Sequence, residues 1–188
     1  MELAREGKSC IIPSVVCGID EVGRGAVAGP LVMAGVILLR PIEGITDSKK
    51  LTPARRKELA AQIVANSRFY LAWIDAQLID RHGLGWAIRE GLERIKANLP
   101  AERYLFDGNS TFGVRKIEPI VKGDLLHPEI GAASILAKHY RDTYMIQLAQ
   151  LYPEYGWDRN KGYPTPDHKR AIEKFGYTPH HRRSWELK

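Results

Sequence analysis

The 188 residues predict a mixed-sheet α/β domain with the last quarter of the chain laid across it. Three observations carry this. Two apolar runs near the start are joined by a short glycine-rich loop, amphipathic helices then alternate with branched and aromatic runs, and from Pro153 the composition turns to Gly, Pro and aromatic residues. The length suits one domain with a sizeable core. We expect a main domain over 1–152 and a basic, aromatic extension over 153–188 packed on it.

Val15–Val22 and Leu31–Leu39 read as buried strands, and the eight-residue loop between them permits antiparallel pairing. Thr52 is placed to cap a helix with Pro53 at its first position, running to about Ser67 with Leu59, Ala60, Ile63 and Val64 inward. Phe69–Ile74 is a third strand. Leu84, Ile88, Leu92, Ile95 and Leu99 recur at helical spacing until Pro100 stops the helix. Tyr104–Asp107 is a short strand ending at the turn pair Gly108-Asn109, and Pro119 confines Ile117–Val121 to an edge or a bulge. A long helix follows from about Glu129. Its predicted apolar stripe is Ile130, Ala133, Ala137, Tyr140, Tyr144 and Leu148, with Ser134, Lys138, Arg141 and Asp142 on a polar one. One more helix is expected at Pro166–Phe175.

Lys and Arg number 28 against 22 Asp and Glu, a net charge of +6. Residues 156–188 alone hold eight Lys and Arg against four Asp and Glu, and seven of the sixteen aromatics lie from Tyr152 onward. A basic, aromatic segment of this kind suits a polyanionic partner. The longest apolar run, nine residues from Leu31, is far short of the ~20 needed to span a bilayer. No secretory signal is expected. Cys10 and Cys17 have neither CxxC nor metal spacing, which is compatible with a reducing cytoplasm.

Three carboxylates stand where carboxylates are costly unless used. Asp20 and Glu21 end one apolar run and Asp107 ends another, and the last residue of a strand opens into a crevice. Neighbours on a regular strand face opposite ways, so Asp20 and Glu21 converge only if the strand bends or the longer Glu reaches round. Asp124 follows in a glycine turn before the long helix. Four acids from separate elements of a basic protein point to divalent metals held by oxygen ligands, and paired ions would serve an in-line phosphoryl displacement.

Gly23 and Gly25 lack the dinucleotide fingerprint but let backbone amides approach a ligand such as a ribose hydroxyl. Ser48, Lys49 and Lys50 precede the Thr52 cap, where a bound anion would relieve the lysines' clash with the helix dipole. Tyr163, held between Gly162 and Pro164, would stack on a sugar or pack as core. The run His180-His181-Arg182-Arg183 reads as a solvated or phosphate-contacting patch.

These residues resemble the bacterial ribonuclease HII family, the type 2 ribonucleases H. The matching stretches are Gly-Ile-Asp-Glu-Val-Gly-Arg-Gly from Gly18, Asp-Ser-Lys-Lys-Leu-Thr from Asp47, Asp-Gly-Asn from Asp107, Lys-Gly-Asp from Lys122, Ala-Ala-Ser-Ile-Leu-Ala-Lys from Ala132, Gly-Tyr-Pro-Thr from Gly162 and His-His-Arg-Arg from His180. The resemblance implies a ribonuclease H-like mixed β-sheet flanked by helices, with a C-terminal helical extension. It implies an endoribonuclease acting on RNA/DNA hybrids and on ribonucleotides embedded in duplex DNA, with Mg²⁺ or Mn²⁺, two ions being expected beside bound substrate. It casts Asp20, Glu21, Asp107 and Asp124 as catalytic, metal-binding acids. It casts Gly23, Arg24 and Gly25 as readers of the 2′-hydroxyl, Tyr163 as the residue on the junction sugar, and Ser48 and Lys49 as phosphate ligands, with Asp142 in support. A cytoplasmic monomer is expected. A DNA nuclease or resolvase of the same fold class and a non-catalytic hybrid-binding module are the alternatives. Leu125 and Gly131 depart from the family pattern, and Gly131 is expected to loosen the first turn of the long helix.

Overall fold

The computed structural model describes residues 15–45 and 51–185. In chain order the elements are β1 (Val16–Val22), β2 (Leu31–Leu38), α1 (Pro53–Asn66), β3 (Ser67–Ile74), α2 (Ala76–His82), α3 (Leu84–Asn98), β4 (Arg103–Asp107), β5 (Ile117–Ile120), α4 (Gly123–Leu126), α5 (Pro128–Leu151), a 3₁₀ turn (Pro153–Tyr155), α6 (Trp157–Asn160) and α7 (Pro166–Phe175). The strands form one sheet in the order β3-β2-β1-β4-β5. β1 is antiparallel to β2 and β2 to β3, whereas β4 runs parallel to β1 and β5 to β4. Pro119 accordingly sits on an edge strand. Thr52 caps α1 as expected, its hydroxyl accepting from the Arg55 amide. The short α2, capped by Asp75, was not anticipated.

Alternation along β1 divides its residues between two cores. Cys17 and Ile19 join Leu31, Met33, Ile88, Leu92, Ile95 and Phe106 under α3. The opposite face of the sheet, with Ala34 and Val36, packs on α1 and the first half of α5. Gly18 belongs to that face: a Cβ there would lie 2.2 Å from the Glu129 carbonyl carbon, so glycine lets the α5 backbone settle directly on β1. A third cluster joins the tail residues Tyr155, Trp157, Ala171 and Ile172 to Val27, Ala28, Met145 and Leu148.

Arg141 is not on a polar stripe; it is wholly buried, and α5 is enclosed all round from Ile130 to Ala137. Nor is His181-Arg182 a solvated patch, since both residues are about 1% exposed. The first turn of α5 is closed despite Gly131, whose amide donates to the His127 carbonyl at 3.0 Å. A Cβ at 131 would meet Ile45 Cγ2 at 2.6 Å and the Asp124 carbonyl at 3.1 Å, so glycine provides room. Among the described residues, no helix is long and apolar enough to cross a membrane.

Candidate active site

The parallel pairing of β1 with β4 sets Ile19 beside Phe106, and therefore Asp20 beside Asp107, at the carboxyl ends of neighbouring strands. Both acids fall on the α5 face, opposite in parity to Ile19 and Phe106. β1 keeps an unbroken register against β2 from Gly18 to Val22, so no bulge turns Glu21 inward. Glu21 nevertheless lines the same cavity as Asp20. β4 ends beside it at Asp107, and the longer side chain reaches round the opened sheet edge.

The cavity holds about 230 Å³ and is lined by Asp20, Glu21, Val22, Asp107, Asp124, Ser134, Lys138 and Tyr163. Asp107 Oδ1 accepts from the Gly123 amide at 2.8 Å, which ties the end of β4 to the start of α4 and carries Asp124 to the same space. Asp20 Oδ1 accepts from the Glu21 amide at 2.7 Å, and the Ser134 hydroxyl from α5 also hydrogen-bonds its carboxylate.

Burial pushes the Asp20 carboxyl well above the usual carboxylate range, with the charges of Glu21 and Asp107 adding to it. Glu21 is raised as well, chiefly by burial; Arg24 opposes the shift and Asp107 reinforces it. Arg24 Nη1 lies 3.4 Å from Glu21 Oε1, and its guanidinium packs 5.8 Å from the Phe112 ring centroid. Glu21 Oε2 is buried with no hydrogen-bond partner among the described residues. The donors are all carboxylate oxygens, the type that suits a hard divalent cation, and one of those oxygens is buried and unsatisfied. The donor set therefore fits such an ion. Among the described residues, however, no three His, Cys, Asp or Glu side chains are arranged to hold an ion as they stand.

Of the candidate binding residues, Gly23 has φ +90°, and a Cβ there would lie 2.3 Å from Arg141 Nε, so packing alone demands glycine. Gly25 is different: nothing lies within 4 Å of its Cβ position, and the residue is exposed to whatever approaches from outside. Tyr163 is half-buried at the cavity wall, with the Arg141 guanidinium 5.4 Å from its ring centroid. Ser48 and Lys49 lie outside the described residues. Asp142 does not line the cavity; it accepts from Lys138 Nζ at 2.9 Å and pairs with Arg56 Nη1 at 3.4 Å.

Sequence reasoning set Ser134 and Lys138 on a polar stripe without assigning them to the cavity, and it missed Arg141 and Arg182 as framework. Arg141 donates through Nε to Pro30 O, through Nη1 to Lys161 O and through Nη2 to Ala28 O. Arg182 donates through Nε and Nη2 to Gly29 O and through Nη1 to Arg24 O. Two buried guanidinium groups thus hold the main chain of the glycine loop.

The chain is similar to known proteins over most of its length. The ribonuclease HII family model matches residues 17–188. A ribonuclease HII of Sulfurovum sp. is 47% identical over 173 residues, covering 92% of each chain. Among solved structures, the ribonuclease HII of the Archaeoglobus fulgidus complex with PCNA is similar with a TM-score of 0.81 at 26% identity, covering 93% of this chain and 96% of that one. The ribonuclease H2 of Pyrococcus horikoshii gives 0.78 at 28% identity, with 92% and 94% covered.

Proposed function

The chain belongs to the ribonuclease HII family, and from that premise we propose that the cavity of Asp20, Glu21, Asp107 and Asp124 is where it cuts RNA. The protein is a metal-dependent endoribonuclease acting on RNA/DNA hybrids. The finer reading is that it also cuts at ribonucleotides embedded in duplex DNA and leaves 3′-hydroxyl and 5′-phosphate ends. One observation supports it most: four acids from β1, β4 and α4 share a cavity with Tyr163 in a protein of net charge +6.

The four acids would hold divalent cations, Mg²⁺ or Mn²⁺ and two of them beside substrate. Those ions would activate water and stabilise the departing 3′-oxygen. The chain's own residues supply the rest. Lys138 at the cavity wall and Arg56 behind it, held by their shared Asp142, favour phosphate on the approaching strand. Main-chain amides at Arg24 and Gly25 are offered to a 2′-hydroxyl, and no side chain at Gly25 bars its approach. Tyr163 presents a ring to the sugar at the junction, with Arg141 behind the ring. In this reading water would add at phosphorus and give up a proton to solvent, the bond to the 3′-oxygen would break with that oxygen taking a proton from solvent to leave as a hydroxyl, and the phosphate would stay on the 5′ end of the downstream strand. Residues 153–188 act in this reading as part of the same domain, carrying Tyr163 to the cavity.

The test is digestion of duplex DNA bearing one ribonucleotide, with and without Mg²⁺, alongside an all-DNA duplex. Metal-dependent cutting beside the ribonucleotide supports the reading. Equal cutting of the all-DNA duplex would make the protein a DNA nuclease, and metal-dependent binding without cleavage would make it a hybrid-binding module.

A further inference from the structure

The tail meets the glycine loop through a buried series of rings that the reaction itself does not use. Trp157 Nε1 donates to His168 Nε2 at 2.9 Å, and His181 Nε2 lies 3.2 Å from the same His168 nitrogen. His168 Nδ1 is 2.9 Å from the Tyr163 carbonyl, and His181 Nδ1 accepts from the Thr178 amide at 2.9 Å. Trp157, His168 and His181 are between 0% and 1% exposed.

Donor accounting leaves one arrangement of protons. An indole N–H only donates, so His168 Nε2 accepts and the His168 proton is on Nδ1, pointing at the Tyr163 carbonyl. The Thr178 amide only donates, so the His181 proton is on Nε2, pointing back at His168. Both rings are neutral, all four ring nitrogens are engaged, and the single lone pair of His168 Nε2 is shared between the Trp157 and His181 donors.

At one end this series grips the backbone of Tyr163. At the other, His181 forms a β-bridge with Ala28, while the Gly29 amide donates to the His180 carbonyl at 2.8 Å and the Arg182 amide to the Val27 carbonyl at 2.8 Å. The carbonyl of Gly162, next to Tyr163, accepts from the amides of Val27 and Ala28. Tyr163 and the Gly23–Gly29 loop, both read above as contacts of the ribose, are therefore fastened to one another through the tail.

We propose that His168 and His181 are positioning residues for recognition of the RNA–DNA junction, their paired imidazoles fixing where Tyr163 stands relative to the loop. The inference rests on the reading of Tyr163 and the loop as the junction readers. Neither imidazole lines the acid cavity, so both act through Tyr163 and the loop backbone.

Two variants of the full chain separate positioning from bulk stability. In His168→Asn the side-chain amide nitrogen falls near the old Nδ1 and keeps the bond to Tyr163 while losing both Trp157 and His181. In His168→Gln the side chain reaches the old Nε2 and keeps Trp157 while losing Tyr163. With Mg²⁺, kcat/KM is measured on a single embedded ribonucleotide and on a long hybrid, beside Tyr163→Ala. His168→Gln should lower the embedded-to-hybrid ratio about three- to tenfold, mainly in kcat, the size expected for one lost hydrogen bond. His168→Asn keeps Tyr163 but cuts the series at His181, so it should lower the ratio as well, by less than His168→Gln, and both variants should melt lower. If both variants shift the two substrates together while Tyr163→Ala remains selective, the inference fails alone. If Tyr163→Ala costs both substrates equally, the junction reading falls and takes the inference with it. Imidazole nitrogen shifts of the wild-type protein at pH 6 should show His168 protonated on Nδ1 and His181 on Nε2; the reverse tautomers would overturn the proposal.

Discussion

The acid cavity and the tail clamp lie a few residues apart along the same loop, yet they treat buried charge in opposite ways. Asp20 and Glu21 crowd Asp107, Arg24 offsets only part of that charge, and one oxygen of Glu21 has no hydrogen-bond partner. Arg141 and Arg182 are as deeply buried, but each donates through all three of its nitrogens to main-chain carbonyls of the loops they hold. Burial and the nearby Arg141 press the Arg182 guanidinium below its ordinary value, Tyr163 and Asp80 oppose the shift, and the carbonyls engage its N–H groups. Charge left short of partners is poised for a ligand, whereas charge satisfied within the chain holds architecture.

The sharpest way to break this contrast is Asp107→Asn. The Asn oxygen can still accept from the Gly123 amide, so the link between β4 and α4 survives while one negative charge leaves the cavity. Cleavage should fall by roughly a thousandfold or more, the scale of losing several kcal/mol of charge stabilisation in the transition state. Melting in EDTA should be unchanged or higher, because mutual repulsion is relieved. Near-normal turnover at saturating metal would remove Asp107 from the chemistry.

Arg182→Met should behave in the opposite sense. It leaves the buried Gly29 carbonyl without its two donors and the part-buried Arg24 carbonyl without one, at a cost of about 3 kcal/mol in urea unfolding. Cleavage at low temperature should drop far less than for Asp107→Asn. A larger catalytic than conformational loss would make Arg182 part of the reaction instead of the framework.

The imidazole pair gives the clamp a pH signature. Burial, then the charges of His168, His180 and Arg183, push His181 down to about 4, and burial lowers His168 as well. The rings of Tyr155 and Tyr177 pack edge-on against His181. A base depressed in the folded state gives stability that is fully present above the unfolded value of about 6.5 and is lost as pH falls from there toward 4. His181 alone should remove about 2 kcal/mol between pH 7.5 and pH 5. His181→Gln should flatten that part of the urea-unfolding profile, and an unchanged slope would show that other groups set it.

What could be read in advance follows the same division. Strands and helices were legible because apolar spacing, Thr52 and Pro119 act locally, and the acids stood out because they interrupt apolar runs. The buried arginines were not legible: Arg141 and Arg182 find their partners in carbonyls of residues 24–30 and of Lys161, and a carbonyl leaves no mark in a sequence. Arg141 therefore read as surface on a helix, and His181 as solvent-facing in a basic run. Glu21 was a different case, where the alternation rule was correct and the ending of β4 decided where its side chain went. The short α2 escaped because seven residues carry too few turns for a periodic pattern.

Gly131→Ala should have the smallest effect, and it probes the cavity from behind. Alanine in a helix interior gains about 1 kcal/mol over glycine. Against that, the new methyl would lie 2.6 Å from Ile45 Cγ2 and 3.1 Å from the Asp124 carbonyl. The Ile45 branch methyl can turn aside by rotation about χ1, but the carbonyl belongs to the backbone that carries a cavity acid, so the strain passes to Asp124. The two terms nearly cancel in stability, leaving the change in urea within about 1 kcal/mol of zero, while cleavage at limiting Mg²⁺ should fall a few-fold. A methyl inserted beside the tail clamp would register in unfolding instead. If Gly131→Ala gains the full helical stabilisation with unchanged metal dependence, Asp124 tolerates displacement, and the fourth acid is a looser partner than the other three.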